Sequence, residues 1–196
     1  MDFDGAKTYI LDRLDQELPL NLYYHSPQHT RDVYEAATEI ALHENIAGEQ
    51  LRLLQTAALF HDCGFLITYQ NHETVGCQLV AKVLPSFGYT DAQIEHISEM
   101  IMATRIPQSP KDHLAEILCD ADLYYLGTQE FYQIGNGLYR EFLEHGIVKD
   151  DKAWNRLQLS FLQNHKYFTK TAQNLRKPQK TTHLLQVKEL VESYAA

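Results

Sequence analysis

The sequence predicts an all-α protein, and three observations predict it. Apolar residues recur at three- and four-residue spacing along most of the chain. Capping signals open these stretches and glycines follow them. No run of four to eight residues alternates apolar and polar side chains as a half-buried strand does.

Taken in order, Ile10, Leu11 and Leu14 mark a first helix near 3–17. Ser26 before Pro27 reads as an N-cap followed by a first-turn proline, opening a helix near 27–45 whose apolar face is Val33, Ala36, Ala37, Ile40 and Ala41. Leu51, Leu54, Ala58 and Leu59 give a third near 49–62, and a fourth follows near 71–84. Thr90 with Gln93 three residues later forms a capping box for a helix near 90–104. Further helices are expected near 111–126, 128–145, 150–174 and 181–194, with Gly48, Gly64, Gly88, Gly127 and Gly146 as stop signals. No repeat, linker or low-complexity stretch divides the chain, so one helical domain over 1–196 is expected.

Composition narrows the function classes. Apolar residues make up 44% and charged residues 22%, as in packed soluble proteins. Seventeen Lys and Arg against 26 Asp and Glu give a net charge of −9, a field that repels nucleic-acid polymers. No apolar run approaches the ~20 residues of a membrane span, and the acidic start MDFDGAKTYI lacks a signal-peptide pattern, so a cytoplasmic protein without a membrane partner is expected. Cys63, Cys77 and Cys119 lie far apart, which suggests reduced, mostly buried thiols.

Polar residues interrupt the apolar segments at two places. His61 and Asp62 end the run Leu-Leu-Gln-Thr-Ala-Ala-Leu-Phe (53–60), and Asp120 and Asp122 sit inside Ile-Leu-Cys-Asp-Ala-Asp-Leu-Tyr-Tyr-Leu-Gly (117–127). A carboxylate buried in such a segment costs several kcal/mol unless a cation or strong donors compensate it. Together with His29 in the first turn of the second helix, these insertions ask for one common cation. Imidazole nitrogens with carboxylate oxygens suit Mn²⁺, Fe²⁺, Co²⁺, Ni²⁺ or Zn²⁺ better than Ca²⁺, with Mg²⁺ as a further option.

This ordered set resembles the HD superfamily of metal-dependent phosphohydrolases, whose signature is a His, an adjacent His-Asp pair and a distant Asp, all on helices. His29, His61-Asp62 and Asp122 follow that order, at spacings of 32 and 60 residues, in a motif core of about 23–127 with the helices of 128–196 packed on it. The resemblance implies that His29, His61, Asp62 and Asp122 hold one divalent ion, with Asp120 behind them or as the alternative ligand. It implies water attack on a small phosphate ester, a nucleotide foremost, by a mono- or diesterase. Cys63, Gly64, Phe65 and Leu66 occupy the stretch where some relatives place a proton-handling glutamate, so that role passes to His72 and Glu73, or to His25. Dinuclear members carry a further histidine near the end of the 90–104 helix, where this chain has Thr104-Arg105, which favours one metal. A non-catalytic nucleotide- or metal-sensing module and a diiron oxygenase are the rival readings.

Arg31, Arg105 and Lys170 are candidates to meet a substrate phosphate, Lys170 within the basic interval Lys166, Lys170, Arg176, Lys177 and Lys180; the bland reading of such charges is a solvated face. Tyr124 and Tyr125 suit either a base stack or the core. Trp154 suits either the core or a homodimer contact. His96 reads as a surface residue and His43, His113, His145, His165 and His183 as structural.

Overall fold

The computed structural model describes residues 1–195, and among them nine α-helices and four short 3₁₀ turns with no strand. The all-α expectation holds. Among the described residues, no helix is long and apolar enough to cross a membrane. Two compact units are distinguishable: residues 1–20 with 25–122, and residues 21–24 with the chain from Leu123 onward.

The first unit holds α1 (Phe3–Glu17), α2 (Pro27–His43), α3 (Gly48–Phe60), α4 (His72–Val83), α5 (Asp91–Ala103) and α6 (His113–Asp122). Every side chain from Leu53 to Phe60 is buried, so α3 is enclosed on all sides beyond its first turn and a half, and it packs against α1, α2, α5 and α6. Ala36, Ala37 and Ala41 on α2 and Ala57 and Ala58 on α3 are small buried side chains suited to close helix packing. Ser26 accepts a hydrogen bond from the His29 N–H with Pro27 in the first turn, and the Thr90–Gln93 capping box forms in both directions. The three cysteines are free, two of them buried.

The second unit holds α7 (Phe131–Glu144), α8 (Asp151–Asn164) and α9 (Lys170–Glu192) around Leu123, Leu126, Phe131, Leu162 and Val187. The expected helices over 150–174 and 181–194 are corrected here: the break falls at 165–169, and one 23-residue helix continues past Pro178. Thr169 starts it by accepting from the Ala172 N–H. Pro178 has no N–H to give the Asn174 carbonyl, but Asn174 is exposed, where solvent can take the donor's place, and the helix runs on through Glu192. Two other ends move inward: α3 stops at Phe60 and α6 at Asp122, and a 3₁₀ turn, Tyr124–Gly127, follows the latter.

Candidate metal centre

Three helix ends in the first unit build the site. The Ser26 cap fixes His29 in the first turn of α2, with a 3.3 Å bond from its N–H to Ser26 Oγ. His61 and Asp62 follow the last turn of α3, and Asp62 opens the 3₁₀ turn Cys63–Leu66. Asp122 is the last residue of α6. Because α2, α3 and α6 pack on one another, residues 93 positions apart in sequence share one point.

Two imidazoles and two carboxylates crowd that point. His61 Nδ1 lies 2.8 Å from the Ala58 carbonyl, which can only accept, so Nδ1 carries the proton and Nε2 of the neutral ring presents a lone pair. Facing this lone pair are His29 Nε2 at 3.3 Å, Asp62 Oδ2 at 3.1 Å and Asp122 Oδ1 at 3.5 Å. His29 Nε2 lies 3.2 Å from Asp122 Oδ1 and 3.5 Å from Asp62 Oδ2. Asp62 Oδ2 is buried and, despite its nearness to His61, makes no hydrogen bond of acceptable geometry. Ligand atoms of His29, His61 and Asp122 fall within 4.8 Å of one another, a group that could hold a metal ion, and the orphaned Asp62 oxygen faces the same two nitrogens.

The electrostatics say the same. Burial pulls the His61 pKa down, but the Asp62 and Asp122 carboxylates outweigh it and hold it well above the usual value. Burial raises the two carboxyl groups, and the histidines outweigh that in turn, lowering Asp122 to about 2 and holding Asp62 well below the usual carboxylate range. The cluster therefore demands positive charge at its centre, which a divalent ion or protons on the imidazoles can provide.

A second layer of rings flanks the centre. Phe65 stacks with two imidazoles, 4.2 Å from the His25 ring and 4.0 Å from the His72 ring, which are tilted 46° to each other, and Tyr69 lies edge-on to Phe65 at 5.4 Å. His72 Nε2 lies 3.5 Å from Asp62 Oδ1 and 3.6 Å from Glu73 Oε1. Burial lowers the His72 pKa more than Asp62 and Glu73 raise it, so the ring is neutral at pH 7. Close approach of α4 brings it there: a Cβ on Gly64 would stand 1.9 Å from the His72 carbonyl oxygen, and one on Gly76 3.4 Å from the Gly64 nitrogen. His25, His72 and Glu73 thus gather beside the buried cluster. Phe65, Tyr69 and the two glycines escape sequence reasoning, since a loop aromatic carries no periodicity; the Gly64-Phe65 pair directly after the His-Asp step is the one available signal.

Asp120 is fully buried on α6. Arg31 is paired with Asp15 at 2.6 Å, and Arg105 donates to Asn71 Oδ1 at 3.0 Å, next to His72. Lys170 is exposed in the first turn of α9, in the second unit. The basic interval is dispersed: Arg176 lies over the Tyr124 ring at 4.0 Å, Lys180 is buried beside Tyr167, and Lys166 and Lys177 are exposed. Tyr124, Tyr125 and Trp154 serve packing, Tyr125 against Tyr24 and Phe131, Trp154 against Tyr139 and Phe142.

An all-α chain with histidines and aspartates meeting at helix ends defines a class of metal-binding helical domains. The chain belongs to the HD domain family, whose model matches residues 28–125 and spans all four expected ligands. No curated protein matches the sequence. Among solved structures, a predicted HD superfamily hydrolase from an uncultured Thermotogales bacterium is 20% identical over 95% of this chain and 92% of its own, with a TM-score of 0.64. Bacillus subtilis YpgQ, solved in complex with ADP, is 20% identical over 97% of both chains, TM-score 0.64. A Lactobacillus plantarum protein is 16% identical over 100% of this chain and 97% of its own, TM-score 0.66. These likenesses confirm the fold.

Proposed function

We propose that the chain is a metal-dependent phosphohydrolase acting on a small phosphate ester, with a nucleotide as substrate. One divalent transition ion, Mn²⁺, Fe²⁺, Co²⁺, Ni²⁺, Zn²⁺ or the harder Mg²⁺, would be held by His29, His61, Asp62 and Asp122. The observation that carries this reading is the buried cluster in which His61 Nε2 faces His29 Nε2 and the Asp62 and Asp122 carboxylates, with Asp62 Oδ2 buried and making no hydrogen bond. Membership of the HD domain family supports the reaction class, and YpgQ's complex with ADP supports a nucleotide.

A bound divalent ion supplies Lewis acidity and a more acidic water for attack on phosphorus. The remaining work is done by the chain itself. Neutral His72 offers Nε2 to take a proton, and Glu73, 3.6 Å away, stabilises the imidazolium that results. His25, stacked on Phe65, stands ready to return a proton to the leaving oxygen. A single ion fits the end of α5, where the Thr104 hydroxyl donates to the Ile101 carbonyl and Arg105 to Asn71, so that no imidazole is offered.

Elemental analysis of protein purified without chelator, followed by a phosphate-ester screen with the ion found, tests the reading. Close to one ion per chain and hydrolysis of a nucleotide are expected. Two irons per chain would favour an oxygenase, and metal binding without hydrolysis a sensing module; either would overturn it.

A further inference from the structure

Of the four arginines in the first unit, two pair with a carboxylate, and a third, Arg52, donates to the Gln55 amide oxygen at 3.1 Å and covers a ring of the core. Arg13 pairs with Glu17, Arg31 with Asp15, and Arg52 lies 4.6 Å over the Phe3 ring. Arg105 differs. It is exposed just beyond α5, and among the described residues its one polar contact is the 3.0 Å hydrogen bond from Nη2 to Asn71 Oδ1.

Asn71 is unusual in its own right. It precedes α4 at the cap position in left-handed backbone (φ 55°, ψ 34°) yet makes no side-chain bond to the helix. Its amide holds Arg105 instead. A neutral amide orients a guanidinium without cancelling its charge, whereas a carboxylate would do both. The cation is thereby anchored one residue from His72, whose Nε2 is 3.5 Å from Asp62.

Charge balance gives that cation a task. Asp62, Asp122 and Glu73 place three carboxylates around the centre, and one divalent ion leaves it with a net negative charge. A single phosphoryl group binds through the ion. Each additional phosphate brings negative charge that the site repels unless a cation waits at the rim. A guanidinium with one N–H arm occupied keeps four donors for a phosphate in bidentate geometry.

From this we infer that Arg105, oriented by Asn71, is the specificity-determining residue for a second phosphate, so that the substrates are nucleoside di- or triphosphates rather than monophosphates. The inference rests on the proposed nucleotide phosphohydrolase function, and its test is read by binding, separately from turnover.

Calorimetric titration of the Mn²⁺-loaded chain with ADP and with AMP provides the test. Wild type should bind ADP about tenfold or more tightly than AMP. Arg105→Ala should lose about tenfold for ADP while AMP affinity and metal content stay unchanged, and Arg105→Lys, keeping charge without the fork, should fall between. Asn71→Gly retains the left-handed backbone and removes the amide; it should weaken ADP several-fold in the wild-type background and not at all in Arg105→Ala. Equal loss for both nucleotides, no loss for ADP, or an Asn71→Gly effect that persists without Arg105 would overturn the assignment, as would failure of wild type to bind either nucleotide. Ester hydrolysis by the same sample reports separately on the centre: turnover retained with no ADP preference sinks the role of Arg105 alone.

Discussion

Each unit of the molecule buries a histidine whose Nδ1 donates to a backbone carbonyl, and the two histidines do opposite things. In the second unit, His183 donates from Nδ1 to the Leu126 carbonyl at 2.9 Å, accepts at Nε2 from the Gln179 amide at 3.0 Å, and stacks on Phe131 at 4.3 Å. Every polar atom of the ring is answered by the protein. In the first unit, His61 makes the same Nδ1 bond to Ala58, but its Nε2 meets two carboxylates and a second imidazole nitrogen. Burial of an imidazole therefore does not mark a ligand. The partner of the second nitrogen does: an amide donor completes a structural ring, and carboxylates facing it leave room for a cation.

Truncating both histidines breaks this comparison most sharply. His61→Ala should drop metal content from about one ion per chain to near none, with phosphate-ester turnover falling about 10³-fold or more, the several kcal/mol of Lewis-acid assistance. Helix content should stay near wild type. His183→Ala should do the reverse, costing about 1–3 kcal/mol of stability through two unanswered polar groups while metal content and turnover per folded chain persist. Elemental analysis and urea unfolding of both variants decide. Retained stoichiometric metal in His61→Ala would remove it from the ligand set.

A smaller effect separates the metal ligands from the rings beside them. Phe65 meets the rings of both His25 and His72, the two imidazoles flanking the expected ligands. Phe65→Leu should keep most of the buried apolar area and the metal while turnover drops about tenfold, since an aliphatic side chain offers neither imidazole a ring to stack on. Phe65→Ala should add a cavity penalty of about 3 kcal/mol. Unchanged turnover in Phe65→Leu at full metal occupancy would show that ring stacking is immaterial.

The four expected ligands were legible because a charged residue inside an apolar helical run has few inexpensive explanations, and two such runs with one leading histidine point to one cation. The helices were legible through their periodicity and caps, Ser26 and Thr90 above all. What escaped depends on contacts made only in three dimensions. Phe65 looks like any core aromatic until two imidazoles are seen stacked with it, and Asn71 looks like a loop residue until Arg105 is found on its amide. Arg31 and Arg105 are indistinguishable in sequence, and only Asp15 separates them. The misplaced break before α9 has a local cause. Thr169 caps the long helix, and Pro178 is carried inside it, as a proline can be where the residue whose carbonyl it leaves without a donor is exposed.

The least effect expected concerns the second unit's own buried cation. Lys180 is 8% exposed, donates to the His165 carbonyl, and has its pKa lowered to about 8, first by burial and then by Lys177. No carboxylate answers its charge there, the converse of the first unit, where carboxylates outnumber cations. Since the unfolded chain keeps the ordinary value of 10.5, it binds a proton between about pH 8 and 10.5 that the folded chain has released. Stability from this group therefore rises with pH across that window, by on the order of 1 kcal/mol once solvent screening is allowed for. Lys180→Met keeps the apolar stem and removes the titration. Urea midpoints measured at pH 8 and pH 10 should rise less steeply for Lys180→Met than for wild type, with metal content equal in both. Parallel pH dependences would mean that Lys180 keeps its proton when folded, held by the carbonyl it reaches and the Tyr167 ring beside it.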